Sequence, residues 1–473
     1  MNSCYLSQLA PALDAELVGK DLTVSRIFID SRRACHGGLF VALRGPHFDA
    51  HDYLGEAIKQ GAVAAVVERQ ALSKINESRL KENQLADIPK LIVSDSRKAL
   101  GDLARFNRQH LDTRIVAITG SSGKTTVKEM TATILQGQGK THATRGNFNN
   151  EIGAPLTLLE MKSEHEYAVV ELGANHAGEI AYTAGITRPE VALVNNVSAA
   201  HLEGFGDLQG VARAKGEIFS EIKSGGVAVI NLDDDFAEFW MKSIRHATLT
   251  YSRSKAADVT ASEVSLDENQ CARFELKYDG AQVSVRLSLA GLHNVSNALA
   301  AASCCLALGV PLQNIATGLA QAPVVSGRLM TEMLASGCRV IDDTYNANLD
   351  SMRAAISLLA RYPGRKILVI GDMAELGESG RQCHEEVGQI ASDAGIDLLL
   401  SCGVLTRFSQ AAFNGSGEHF SDQTLLIQKL KKQAKADTTI LVKGSRSAHM
   451  ENVVLALTEG SHEQRLALKN GGD

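Results

Sequence analysis

From about residue 113 onward the chain alternates short, wholly apolar runs with stretches of helical spacing. Ile115–Ile118, Tyr167–Leu172, Val191–Val197 and Gly226–Asn231 carry no polar face. A strand with one wet side alternates apolar and polar residues, so continuous apolar runs between helices predict a parallel sheet covered on both faces. The pattern changes once. Phe274-Glu-Leu-Lys-Tyr278 and Val283-Ser-Val-Arg-Leu287 alternate with period two around Asp279-Gly280, which predicts an antiparallel hairpin with a tight turn. A helix over His293–Leu308 follows.

Two further segments flank this one. Residues 1–112 hold β-like pieces at Ser25–Ile29 and Gly38–Leu43, a helix near Tyr53–Gln60, an apolar strand Ala62–Val67, a strand Leu91–Val93 and a helix Ser96–His110. The polar, lysine-rich stretch 69–90 reads as a solvated helix or loop, not a basic binding face. From residue 328 to 473 the α/β texture resumes, with strands expected at Arg339–Ile341, Lys366–Ile370, Asp397–Leu400 and Thr439–Val442. The fold class is therefore α/β in three domains, 1–112, 113–327 and 328–473. The length of 473 residues agrees, since one core rarely serves more than about 250–300 residues.

Composition narrows the function classes. A net charge of −6 offers no electrostatic footprint for nucleic acid. The apolar stretch 297–312 is short and broken by Gly309 and Pro311, so it is expected as a buried helix and not a membrane span. The first ten residues have neither a basic region nor a long apolar core, so no secretory signal is expected. Eight scattered cysteines without a C-x-x-C pair point to a reducing, cytoplasmic setting.

The chemistry concentrates after the first central strand, in Thr119-Gly-Ser-Ser-Gly-Lys-Thr-Thr126, with a helical pattern following from Val127. Phosphates need many donors at short range. Gly120 and Gly123 let backbone amides approach an anion, and the helix N-terminus adds positive potential. Lys124 can reach β- and γ-phosphates, and the Thr125 hydroxyl is placed for Mg²⁺. The spacing departs from G-x-x-x-x-G-K-[ST], whose first glycine would fall at Ile118, and this shorter form disfavours a kinase or GTPase. The central domain is thus read as a P-loop, ATPase-like parallel sheet with a hairpin.

Other candidates are less specific. Glu171 ends an apolar strand and His201 follows another, positions where open sheets present ligands. They read equally as a cation-holding pair or as a capping glutamate and a core histidine, and Mg²⁺ prefers oxygen. Lys215 on a helical stretch reads by default as a surface lysine. Asn147-Phe-Asn-Asn150 clusters amides in a loop, suited to a polar ligand or to a plain turn. Ser326-Gly-Arg328, Asp342–Asn348, Gly371–Gly377 and Lys443–Arg446 sit beside strand ends, and Arg328 is a candidate fork for phosphate or carboxylate. Four such loops predict a second ligand-bearing face.

Taken together, these motifs resemble the Mur ligases, ATP-dependent amide-forming enzymes of bacterial cell-wall synthesis. The cradle, Glu171, His201, Lys215, Leu292–Ala298 and the Arg328 region stand in the family's order across the whole chain. Longer blocks carry the likeness further: Glu171–Ile180, Asn195–Gly206, Tyr345–Asn348, Gly371–Gly377 and Leu441–Arg446. They are most similar to the family member whose substrates are UDP-N-acetylmuramoyl-tripeptide and D-alanyl-D-alanine. The member that adds the preceding diamino acid usually has an Asp-Asn-Pro-Arg motif, absent here, and folylpolyglutamate synthetases share the cradle but not the Ala-Asn-His-Ala-Gly-Glu block. A nucleotide-dependent binding module without ligase activity is disfavoured by the intact Lys124, Glu171, His201 and Lys215.

The resemblance implies a uridine-nucleotide-binding N-terminal domain, with Ser31, Arg32, Arg44 and His51 in the matching block, and a Rossmann-like C-terminal ligase domain. It implies ATP held by Thr119, Gly120, Ser121, Ser122, Gly123, Lys124, Thr125 and Thr126, with His293, Asn294 and Asn297 at adenine and Arg328 and Asp343 reaching in from the C-terminal domain. Two Mg²⁺ ions are implied, held by Thr125, Glu171, His201 and Lys215, the last as a carbamate. Catalytic roles fall to Lys124, Glu171, His201 and Lys215. Asn149, Asn150, Tyr345, Asn346, Asn348, Lys443 and Arg446 are implied substrate contacts. The partners implied are the two substrates alone, for a cytoplasmic monomer that inserts into no membrane and binds no nucleic acid.

Overall fold

The computed structural model describes residues 1–72, 88–198 and 202–459. His201 and most of the lysine-rich stretch lie outside these residues. The architecture is three α/β units, each built on its own sheet, with a two-stranded piece (Cys4–Tyr5 against Thr23–Val24) at the start of the chain.

The central sheet has nine strands. From edge to edge they run Ala281–Ala290, Cys271–Tyr278, Val259–Leu266, Ala247–Ser252, Val227–Asn231, Val191–Val194, Arg114–Thr119, Tyr167–Glu171 and Thr141–Ala143. The last six in that order are parallel, and Val259–Leu266 extends them before the hairpin turns antiparallel. In the strand Arg114–Thr119 the side chains from Ile115 to Thr119 are fully buried, and each such Val or Ile contributes about 1.5–3 kcal/mol. The hairpin turn has φ of 47° at Asp279 and 73° at Gly280. Positive φ at both central residues gives the turn whose twist matches the strands it joins.

Strand order fixes the site. Arg114–Thr119 lies between Val191–Val194 and Tyr167–Glu171, and the chain leaves it in one direction and returns on the other side. The loops after these three strands therefore share one crevice at the carboxyl edge, the place where open α/β sheets bind ligands.

The N-terminal sheet runs Glu16–Val18, Lys90–Val93, Ala62–Glu68, Gly38–Val41, Ile27–Phe28, with only the first strand antiparallel. The C-terminal sheet runs Met330–Met333, Arg339–Asp343, Thr438–Lys443, Arg365–Gly371, Leu398–Cys402, Ser416–Phe420, again with one antiparallel edge. The apolar core does not stop at residue 112. Helix Ser96–Gln109 buries Leu100 and Leu103 in one cluster with Leu158 and Ile186 of the central unit. No described helix is long and apolar enough to cross a membrane, and 297–312 falls on the buried helix His293–Ala307 and the turn after it.

The expected strands are present, with shifted ends. Val191–Val197 stops at Val194 because Asn195 and Asn196 leave the ladder to bond the cradle. Eight strands were not expected: Cys4–Tyr5, Glu16–Val18, Thr23–Val24, Thr141–Ala143, Ala247–Ser252, Val259–Leu266, Met330–Met333 and Ser416–Phe420. All are polar or lie at or near a sheet edge, where burial imposes no apolar run.

Candidate active site

The cradle is a tight turn between strand Arg114–Thr119 and helix Lys124–Gln136. Gly120 has φ of 150° and Gly123 of 78°. A Cβ on Gly123 would stand 2.6 Å from both Asn195 Nδ2 and Asn297 Oδ1, so glycine is required there on two grounds. The amides of Ser121 and Ser122, expected to face phosphate, donate instead to Asn196, to its carbonyl at 2.9 Å and its Oδ1 at 2.8 Å. The first helical turn, Lys124 to Thr126, keeps amides that no preceding turn can satisfy. The Lys124 ammonium donates to the Gly120 carbonyl at 2.7 Å. Loss of hydration lowers its pKa, partly opposed by Glu171 and reinforced by Arg328.

Thr125 is the crossing point. Its hydroxyl donates to Glu171 Oε2 at 3.0 Å and lies 3.0 Å from the Arg328 guanidinium. Glu171 Oε1 accepts from Asn149 Nδ2 at 2.8 Å. Lys215 is not a surface residue: it is 2% exposed, with Nζ 6.0 Å from the centre of the Phe205 ring. Burial, and the charge of Lys124 after it, press its pKa well below that of an ordinary lysine. Among the described residues no group of three or more His, Cys, Asp or Glu is arranged to hold a metal. Thr125 and Glu171 nevertheless suit Mg²⁺, which takes one or two protein oxygens and completes its shell with phosphate and water. The buried, unpartnered Thr119 Oγ1 and Arg328 Nε leave polar capacity for a ligand in the same crevice.

A chain of amides extends toward the expected adenine side. Asn195 Nδ2 donates to Asn297 Oδ1 at 3.3 Å, Asn297 Nδ2 to Asn294 Oδ1 at 2.9 Å, and Asn294 Nδ2 to the Ala290 carbonyl at 2.8 Å. His293 opens the same helix, its pKa pushed down to about 4 by desolvation, with Lys443 and Arg253 adding to the effect. Asn195 and Asn196 belong to the site with no motif of their own to mark them. Two asparagines directly after an apolar strand were the available signal.

The third unit enters the cradle. Arg328 stacks 4.3 Å from the Tyr345 ring centre. Asn348 Nδ2 donates to Ser122 Oγ at 2.9 Å, while its Oδ1 caps helix Leu349–Ala360 through Ser351 N–H at 2.9 Å. Asp343 and Lys443 pair at 2.6 Å, the lysine buried and the carboxylate largely enclosed; Lys443 also reaches the Asn346 carbonyl at 3.0 Å. Burial raises the Asp343 pKa despite this partner. Asn346 turns its own Oδ1 to the Ala347 amide. Arg446 is exposed and paired with Glu451 at 3.2 Å. The loop from Gly371 is tied to the loop after strand Leu398–Cys402: the Asp372 carboxylate accepts from the amides of Val404, Leu405 and Thr406. Beside Asn348 a cleft of about 630 Å³ opens, lined by Gly206, Asp207, Leu208, Leu349, Gln382 and Glu386, among others.

The N-terminal candidates form a separate group. Arg32 is exposed and paired with Asp30, and the Ser31 hydroxyl donates to Glu56 at 3.3 Å. Arg44 pairs with Asp49 at 3.0 Å and with Glu68 at 3.5 Å. His51 is buried; its Nε2 accepts from the Glu68 amide and its Nδ1 lies 2.5 Å from Asp49. It therefore braces the loop that carries Arg44. Asn150 Oδ1 accepts the Gly153 amide at 2.9 Å, where helix Gly153–Leu159 begins.

Three family descriptions match: "Mur ligase family, catalytic domain" over residues 23–108, "Mur ligase middle domain" over 118–305 and "Mur ligase, glutamate ligase domain" over 327–446. The chain is 48% identical over 463 residues to the UDP-N-acetylmuramoyl-tripeptide–D-alanyl-D-alanine ligase of Escherichia coli strain K12, spanning 97% of this chain and 99% of that one. Its fold is similar to MurF from Acinetobacter baumannii, with a TM-score of 0.89, 37% identity and coverage of 97% and 99%. It is also similar to the MurF ligase of Thermotoga maritima in complex with ADP, with a TM-score of 0.82, 29% identity and coverage of 93% and 99%.

Proposed function

We propose, for a chain that belongs to the Mur ligase family, an ATP-dependent, ADP-forming ligase that joins D-alanyl-D-alanine to UDP-N-acetylmuramoyl-tripeptide in peptidoglycan synthesis. Likeness along the full length to ligases of that name supports the substrates. The observation that carries the reading is the approach of Arg328 and Asn348 from the third unit to Thr125 and Ser122 of the cradle. A nucleotide module with no second reactant to bring in has no need of a separate unit there.

The chemistry follows from the reactants. A carboxylate is a poor electrophile, so its oxygen first attacks the γ-phosphorus of ATP, giving an acyl phosphate and ADP. The free amine of the dipeptide then attacks the acyl carbon, loses a proton, and the tetrahedral adduct expels phosphate as the amide forms. Lys124 and Arg328 would neutralise charge on the transferring group, which is the main contribution a protein makes to phosphoryl transfer. Thr125 and Glu171 would hold Mg²⁺, which supplies further charge neutralisation when bound. Lys215, favoured by burial in its neutral amine form, suits reaction with CO₂ to a carbamate and a place near a second ion. Asn294 and Asn297 would meet adenine, and the Arg44 loop the uridine nucleotide. The enzyme is read as a cytoplasmic monomer, its scattered cysteines in keeping with a reducing compartment.

Purified protein is expected to release phosphate from ATP only when both the muramoyl tripeptide and D-alanyl-D-alanine are present. Equal release with diaminopimelate or lysine in place of the dipeptide would remove this assignment.

A further inference from the structure

The helix that follows the cradle contains a second lysine, one turn beyond Lys124, that the chemistry above leaves unused. Lys128 is 1% exposed, yet its ammonium donates to the Thr144 carbonyl at 2.7 Å and pairs with Glu129 at 2.7 Å. Burying an ammonium costs several kcal/mol unless its hydrogen bonds are satisfied. A methionine or leucine would fill the same space without that cost, so the position calls for a reason.

Thr144 supplies it. Its side-chain hydroxyl accepts the Glu171 amide at 3.0 Å, and its own amide donates to the Val169 carbonyl at 3.0 Å. Thr144 also begins the loop to Asn149, whose Nδ2 holds Glu171 Oε1. The segment 144–149 thus grips Glu171 twice, at the backbone and at the carboxylate. Lys128 fastens the start of that segment to the helix bearing Thr125, whose hydroxyl holds the other carboxylate oxygen.

We infer that Lys128 is a positioning residue for the magnesium site: through Thr144 it sets the distance and orientation of the Glu171 carboxylate relative to Thr125. The inference rests on the reading of Thr125 and Glu171 as magnesium ligands given above. Mg²⁺ demands near-ideal octahedral geometry at 2.0–2.1 Å, so a small displacement of one carboxylate weakens the ion more than it weakens the nucleotide.

The test measures ADP binding by titration calorimetry, with and without magnesium, in the full-length protein, alongside its melting temperature. In Lys128→Met the affinity gained on adding magnesium should fall at least fivefold, while metal-free ADP binding stays within twofold of wild type. Thr144→Val should behave alike and Thr144→Ser should retain the gain, and this second pair decides the matter if Lys128→Met does not fold. A folded Lys128→Met with the full magnesium gain overturns the inference, as does an equal loss with and without the metal. If wild type itself gains nothing from magnesium, the reading of the site fails, which is a different result from wild type gaining and all variants keeping it.

Discussion

At the scale of single residues, protonation decides what the site can offer. The imidazole of His293 titrates near 4 in the folded protein against about 6.5 in an unfolded chain. Between those values the unfolded state binds more protons, so stability rises with pH there and is lost as pH falls from about 6.5 toward 4. His293→Gln, a neutral replacement, should flatten this part of the melting-temperature profile between pH 4 and 6.5. An unchanged slope in the variant would show that the imidazole is not held neutral by its surroundings. Lys215 poses the same question in the alkaline direction. Its ammonium is disfavoured by burial, so a larger fraction of free amine is available to CO₂ than on an exposed lysine. Activity should drop on stripping CO₂ and return with bicarbonate, and Lys215→Met should respond to neither. Full activity of the wild type in CO₂-free buffer would leave Lys215 an ordinary buried amine.

At the scale of elements, what could be read from sequence follows burial. Strands such as Arg114–Thr119 and Tyr167–Glu171 are enclosed on both faces, so their sequence is forced apolar and their location is legible. Edge strands such as Thr141–Ala143 and Ser416–Phe420 are for the most part only half-buried, and nothing in their side chains marks them. The same reasoning applies to the site. The cradle was visible because glycine is required where φ is positive and where Asn195 and Asn297 crowd the loop. The Lys128–Thr144–Glu171 brace was not visible, because a lysine on a helix reads as a solvated charge until tertiary contacts show it enclosed. Asn348 doubles as a helix cap, and a cap is the ordinary explanation for an asparagine before a helix. His51 and Lys443 likewise carried no mark of burial; only the fold shows each held by an acidic partner.

At the scale of the molecule, the central question is how the third unit comes to the cradle. Its bridges include the Arg328 guanidinium on Thr125 and the Asn348 amide on Ser122. An intramolecular hydrogen bond contributes about 0.5–1.5 kcal/mol net, so losing one shifts an open–closed equilibrium by up to about tenfold. Contacts of this size would let the units separate to admit substrates and meet again without nucleotide. ATP phosphates would compete for Thr125 and give Arg328 a stronger, doubly charged partner, replacing contacts within the protein by contacts through the ligand. Ser122→Ala isolates this balance, because it removes the partner of Asn348 but leaves that residue's bond to Ser351, and so the helix cap, in place. Without nucleotide, the variant should populate separated units up to about tenfold more, read as a longer distance between fluorescent labels on the central and third units. Saturating ADP with magnesium should narrow that difference, since closure then runs through the nucleotide. Identical distances in variant and wild type, with and without ADP, would mean the Ser122–Asn348 bridge does not govern the approach of the two units.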